Sequence, residues 1–325
     1  MTNSNLLGIY IPTYNREKEL EECLRAFIPQ LKAYGFPIYV SDNCSTDNTE
    51  GLIRNIDKEY ENIHYKKSGK NLGYSLNFVN VLRMGNTHYA WIVADDDVIY
   101  PDTINLIVKN LEEGYDFLQI NAEVYSQNLK NKIKNRILPY TEDIVYEVGE
   151  HERALLAHKH TDYQGFNPHM IIRKELLDRE IRRINPKAPN MDFIHTVVFY
   201  RGIVGQKGKL IARPLIKARG GNWGYSKRIM EIFFKSWYIT HSMLEQNYSE
   251  EVLNEVKARS FLSLCIPIAV DRVINNSNPS QIYKKYIKEN KNISQSKKEV
   301  LKLIVFTPRP VLKLVYESYK KIMNY

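Results

Sequence analysis

Tyr89-Ala90-Trp91-Ile92-Val93-Ala94 is a short apolar run that ends abruptly in Asp95-Asp96-Asp97. A run of this length, bounded by charge, reads as a buried strand with carboxylates at its carboxyl end. Clustered carboxylates repel one another unless a cation sits among them. The guest that suits them is a hard divalent ion, which takes oxygen ligands and bridges carboxylates to substrate phosphates. The plainer alternative is an acidic loop or a helix N-cap, because Pro101-Asp102 follows closely and suits a helix start.

Upstream, the chain alternates strand and helix. Leu6 to Ile11 reads as a strand stopped at Pro12-Thr13, and Glu17 to Lys32 carries a helical stripe of Leu20, Cys23, Leu24, Phe27 and Leu31. Pro37 to Ser41 is a second strand before the polar turn Asp42-Asn43-Cys44-Ser45-Thr46-Asp47-Asn48, and Thr49 to Tyr60 a second helix. Ile63 to Lys66, Ser75 to Met84 and Tyr89 to Ala94 continue the alternation as strand, helix, strand. Such a pattern predicts right-handed crossovers, an α/β fold and a mostly parallel sheet flanked by helices. Ligands of these sheets bind beyond the carboxyl ends of the strands, and Thr13, Asp42 and Asp95 all fall there. Further on, Pro101 to Glu112, His151 to Lys159 and Phe193 to Tyr200 read as helices. Asp116 to Ile120, Met170 to Ile172 and Lys209 to Ile216 read as strands, with Gln127 to Arg136 as an exposed excursion. Beyond Gly220-Gly221 long helical segments take over, which divides the chain into residues 1–223 and 224–325.

The 325 residues leave room for an ample core. No secretory leader and no bilayer-spanning stretch are legible. Three cysteines, Cys23, Cys44 and Cys265, lack metal-ligand spacing, and their odd number fits a reducing cytoplasm better than a disulfide framework. The net charge of +9 is lopsided: residues 281–325 carry eleven Lys and Arg against three Glu.

Taken in order, Ile9 to Arg16, Val40 to Thr49, Asn71-Leu72-Gly73 and Asp95-Asp96-Asp97 resemble the family 2 glycosyltransferases of GT-A fold. The resemblance is clear over about residues 5–120 and thinner to 223. It implies an inverting transferase with a nucleotide-diphosphate sugar donor, usually uridine-linked, and magnesium or manganese. It implies that Pro12, Thr13 and Tyr14 border the nucleoside, that Arg16 helps with phosphate, and that Asp42 meets the base while Asp47 caps a helix. Asn71 and Gly73 would line the sugar pocket. Of the triple aspartate, Asp97 would touch the metal, paired with Asp95 or Asp96, while Asp95 and Asp96 approach the ribose.

The family's general base comes late, at the start of a helix. Pro189-Asn190-Met191-Asp192-Phe193-Ile194-His195 occupies that place, with Met191-Asp192 where a Glu-Asp pair is usual. Asp192 is the candidate catalytic base, Asp162 and Glu123 are weaker ones, and His195 is expected to pack. Gln164 to Met170 reads as an acceptor-facing loop. Arg219-Gly220-Gly221-Asn222-Trp223 resembles a lid, with Arg219 as a phosphate clamp and Trp223 as a sugar-stacking face.

The basic tail mixes lysines with Leu301, Ile304, Val305, Phe306, Val311, Leu312, Leu314 and Val315, a composition suited to an anionic membrane surface. The expected partners are therefore a nucleotide sugar, a glycan or lipid-linked acceptor and a membrane surface, with no nucleic acid. The expected location is the cytoplasm, peripheral to the inner face of the cell membrane. Two rivals are a metal-dependent phosphohydrolase, which wants an aspartate where Pro12-Thr13 stands, and a non-catalytic membrane or nucleic-acid binder led by the tail.

Overall fold

The computed structural model describes residues 4–158, 170–185, 187–188, 191–220, 226–257 and 261–322. Its first half follows the alternation: β1 (Leu7–Thr13), α1 (Glu17–Leu31), β2 (Ile38–Asp42), α2 (Thr49–Asp57), β3 (Ile63–Lys67), α3 (Tyr74–Leu82) and β4 (Tyr89–Ile92). Next come β5 (Val98–Ile99), α4 (Thr103–Glu112), β6 (Phe117–Tyr125), β7 (Lys132–Lys134), β8 (Ile144–Tyr146) and α5 (His151–Leu156). The sheet closes with β9 (Met170–Arg173), α6 (Lys174–Arg183), α7 (Ile194–Gly202) and β10 (Gly208–Arg219).

These strands form one ten-stranded sheet in the order β3-β2-β1-β4-β9-β6-β10-β5, with β7 against β6 and β8 against β10. The expected parallel pairing holds for β3-β2-β1-β4 and for β6 beside β10. Between those halves β9 runs antiparallel to both neighbours, Ile171 opposite Trp91 on one side and Leu118 on the other. Every residue of β1 and β2 is buried, as a sheet covered on both faces requires. Helix α1 covers one face through Leu20, Cys23, Leu24, Phe27, Ile28 and Leu31.

Several short elements were not expected. α6 starts directly after β9 with no turn residue to announce it, and buries Leu176, Leu177 and Ile181. β5, β7 and β8 span only two or three residues, too few for a period to show. β7 lies inside the Gln127 to Arg136 excursion.

The C-terminal part is helical. A second hydrophobic cluster runs from Ile229 to Tyr316, while the main one, which fills the sheet's flanks, extends as far as Val256. The last two helices, Gln295–Phe306 and Arg309–Ile322, are separated at Thr307-Pro308, where proline forces the preceding residue out of helical geometry.

Candidate active site

The tips of β1 and β4 lie side by side in the sheet, which brings Thr13 and Arg16 against the aspartates. Thr13 donates its hydroxyl to Asp95 Oδ2 at 2.7 Å, and Arg16 donates to Asp95 Oδ1 at 2.7 Å. The same Arg16 nitrogen stands 3.0 Å from Asp96 Oδ2. All three aspartates are buried. Burial pushes the Asp95 carboxyl up to about 6, with Arg16 pulling it down and Asp96 adding to the rise. Burial opposes the Arg16 charge as well, yet Asp95 and Asp96 outweigh it and hold the guanidinium above its ordinary range. Both Asp95 oxygens are thus committed to protein donors. Asp95, expected as a ligand of the metal and a neighbour of the ribose, also anchors β4 to the β1 loop.

Asp97 is different. Its Oδ1 accepts the Arg219 backbone N–H at 2.8 Å, while its Oδ2 is buried and accepts nothing. Burial, then the neighbouring Asp96, holds its carboxyl well above the usual range. A buried carboxylate oxygen without a donor is costly, and among like charges it is costlier still. A divalent ion would satisfy it. Among the described residues no three His, Cys, Asp or Glu side chains form a metal cage. An ion held by Asp97 would complete its shell with water and substrate phosphate, the usual habit of magnesium.

Arg219 does not face outward. Its Nε donates to the Asp96 carbonyl at 2.9 Å, and its terminal nitrogens reach the Gln127 carbonyl and the Glu22 carboxylate. Only 5% of its side chain is exposed. Arg219, expected as a phosphate clamp, here pins the aspartate turn to β10 and α1. Trp223, its expected companion, lies outside the described residues, as do Asp162 and 164–169 of the expected acceptor loop.

The β2 tip is built for order. Asp42 is fully buried, accepting from the Ser45 N–H at 2.8 Å and the Tyr65 hydroxyl at 2.6 Å. Both oxygens thus hold the turn and its neighbour β3 in place. Asp47 caps as expected, taking the Thr49 N–H and hydroxyl and the Glu17 N–H. Asn71 accepts from the Gly73 N–H at 2.9 Å and the Asn43 amide at 3.0 Å. Gly73 has φ +79°, a conformation that suits glycine. Sequence reasoning missed Asn77, whose buried amide donates to the Ser41 and Thr13 carbonyls and accepts from the Ser41 hydroxyl. Its one signal is an amide on the sheet-facing side of α3. Pro12 is buried in β1, and Tyr14 is 41% exposed beside it.

The acceptor-side segment arrives at the start of α3. Ser75 donates its hydroxyl to the Met191 carbonyl at 2.7 Å, and the Tyr74 hydroxyl meets His195 Nδ1 at 3.0 Å. Buried His195 packs, as expected, here against Tyr74 and Phe78. Asp192 lies next door, its carboxylate gripped by two Arg228 nitrogens at 2.9 and 3.2 Å and by the Ser236 hydroxyl at 2.5 Å. Glu123 is a poor base. Burial acts to raise its pKa, but Lys132 at 2.7 Å and the Tyr100 and Tyr125 hydroxyls outweigh it and hold the group below the usual range.

The sequence profile described as Glycosyl transferase family 2 matches residues 8–179, the span that builds this rim. The chain belongs to glycosyltransferase family 2. Among relatives of the family-2 chain is the abequosyltransferase RfbV of Salmonella typhimurium, 28% identical over 233 residues, 69% of each chain. Among solved structures, S. aureus TarS 1-349 in complex with UDP-GlcNAc is 18% identical, with a TM-score of 0.58 over 98% of this chain and 89% of that one. The mannosyltransferase PcManGT from Pyrobaculum calidifontis, in complex with GDP-Man and Mn2+, is 13% identical, with a TM-score of 0.52 over 100% of this chain and 86% of that one. The family-2 enzyme is thus a glycosyltransferase of GT-A fold acting on a nucleotide sugar.

Proposed function

We propose that this family-2 enzyme transfers a sugar, with inversion, from a nucleotide-diphosphate donor to a glycan or lipid-linked acceptor in bacterial surface polysaccharide synthesis. A uridine-linked donor is what the family resemblance implies. The catalytic unit is residues 1–223. The observation that carries the reading is Asp97 Oδ2, buried and without a donor at the carboxyl end of β4, beside two further aspartates and Arg16. Manganese or magnesium there would act as a Lewis acid on the departing diphosphate. Asp95 and Asp96, oriented by Thr13 and Arg16, present the ribose-facing side, and the Asn71–Gly73 turn lines the sugar. The exposed Tyr14 ring borders the nucleoside.

Asp192 is the base in this reading. A carboxylate bound twice by one guanidinium is a weak proton acceptor, so deprotonation of the acceptor hydroxyl requires Arg228 to withdraw. Ser236 would keep the carboxylate aimed meanwhile.

The test is a panel of nucleotide sugars with manganese, read as released nucleotide diphosphate. The parent should turn over one donor, and Asp97→Ala should lose both turnover and manganese binding. Equal turnover in the two proteins would remove Asp97 from the metal site.

A further inference from the structure

The final two helices are apolar on both of their faces. In Gln295–Phe306, Leu301 and Val305 point into the second core. Leu303, on the opposite side, is 71% exposed, with Val300 and Phe306 exposed beside it. In Arg309–Ile322, Leu312 and Tyr316 are buried, while Leu314 is 70% exposed and flanked by exposed Val311 and Val315. An ordinary surface helix is polar on its outer face, and one that is apolar all round is covered. Of the large hydrophobic side chains exposed among the described residues, most fall in this short stretch or at Ile274. Ile274 lies close by, since Arg309 donates to the Val273 carbonyl at 2.9 Å. Buried and exposed residues were pooled in the sequence reading of the tail; the structure separates them and adds Val300 and Leu303.

Charge decides what covers this second face. Residues 281–325 hold a net of +8, while the rest of the chain is close to neutral. Among the described residues of the two helices, Lys302 and Lys313 are exposed beside the apolar residues, against one exposed acid, Glu299. A second copy of the chain would set these lysines against themselves. An anionic bilayer would take both the lysines and the leucines. No described helix is long and apolar enough to cross a membrane, so the geometry is that of helices lying on the surface.

We infer that the two C-terminal helices form an interfacial membrane anchor, with Val300, Leu303, Phe306, Val311, Leu314 and Val315 entering the headgroup boundary of an anionic leaflet. This deepens the lipid-linked acceptor proposed above and rests on it only for biological purpose, because vesicle binding is read without any sugar transfer.

The experiment is co-sedimentation of the full chain with phosphatidylcholine vesicles, with or without phosphatidylglycerol. The parent should bind only the anionic vesicles and release with salt. Leu303→Ser and Leu314→Ser should each weaken partitioning roughly tenfold, and Lys302→Glu with Lys313→Glu should do so at least as strongly. Unchanged melting curves and unchanged donor hydrolysis in solution would show that the variants fold. Parent-like binding by the double leucine variant overturns the inference, as does parent that ignores anionic vesicles. Sedimentation showing a parent dimer that Leu303→Ser with Leu314→Ser makes monomeric, without vesicle binding, also overturns it and assigns the face to a second copy.

Discussion

Arg219→Ala separates a residue that builds the site from one that grips the donor. The truncation removes donors from the Asp96 and Gln127 carbonyls and from the Glu22 carboxylate. The part-buried Asp96 carbonyl left without this donor costs about 1–3 kcal/mol, while the Gln127 carbonyl, at an exposed residue, can turn to water. Glu22 is 56% exposed, so its ion pair adds no more than about 1 kcal/mol. The expected loss is therefore about 2 kcal/mol in unfolding free energy, measured by urea titration. The backbone N–H to Asp97 survives in the variant, so metal binding should weaken rather than vanish, and turnover should fall about tenfold through a looser aspartate turn. Arg219→Lys should not restore stability, because one ammonium cannot span three acceptors held by a planar fork. If urea stability stays within about 0.5 kcal/mol of the parent while the donor KM alone rises, the side chain binds phosphate after all and the positioning argument fails.

Three further outcomes follow from the same geometry. Asp192→Asn should bind and hydrolyse donor yet lose transfer to acceptor; transfer at the parental rate would place the base elsewhere. Asn77→Ala should cost about 2–3 kcal/mol and raise the donor KM, since it unties the tips of β1 and β2; calorimetry with donor titration checks both. Burial drives His158 down to about 3 from an ordinary 6.5. Between those values the unfolded chain binds the extra proton, so this residue's contribution is full above 6.5 and is lost as pH falls toward 3. From about pH 7 to about pH 5 the loss approaches about 2 kcal/mol. His158→Asn should show a shallower acid slope in urea titrations, and an identical slope would contradict the assignment.

Much of the fold was legible because apolar period and turn chemistry repeat cleanly through β4. The polar rim was legible for the same reason: Thr13 and Asp42 end their strands, Asp95 follows shortly after β4, and parallel neighbours align their ends. What stayed hidden depends on partners far away in sequence. Asp95 and Asp97 look alike in a run of three, and only Thr13, Arg16 and the Arg219 N–H distinguish an anchoring carboxylate from one with an open oxygen. Arg219 beside two glycines suggested motion, but its direction is set by Glu22 on α1, which no local pattern reveals. Asp192 held its expected place at the head of α7, while its Arg228 partner comes from the helical part and could not be paired with it from spacing. The tail's apolar residues were visible, and their division into buried and exposed faces needed the packing.

The bond between the Arg219 N–H and Asp97 spans 122 residues, and this bears on how the enzyme comes into being. On the ribosome, the aspartate run emerges long before β10 exists to fasten it. Until β10 is made and docks beside β6, Asp97 lacks its Arg219 partner and the turn that carries the aspartates has no wall. A nascent or prematurely ended chain would then display all three aspartates without the contact that fastens their turn. Such non-local closure is also slow to form and leaves strand edges open to wrong partners meanwhile. Closure of the aspartate turn therefore waits on the last strand of the sheet.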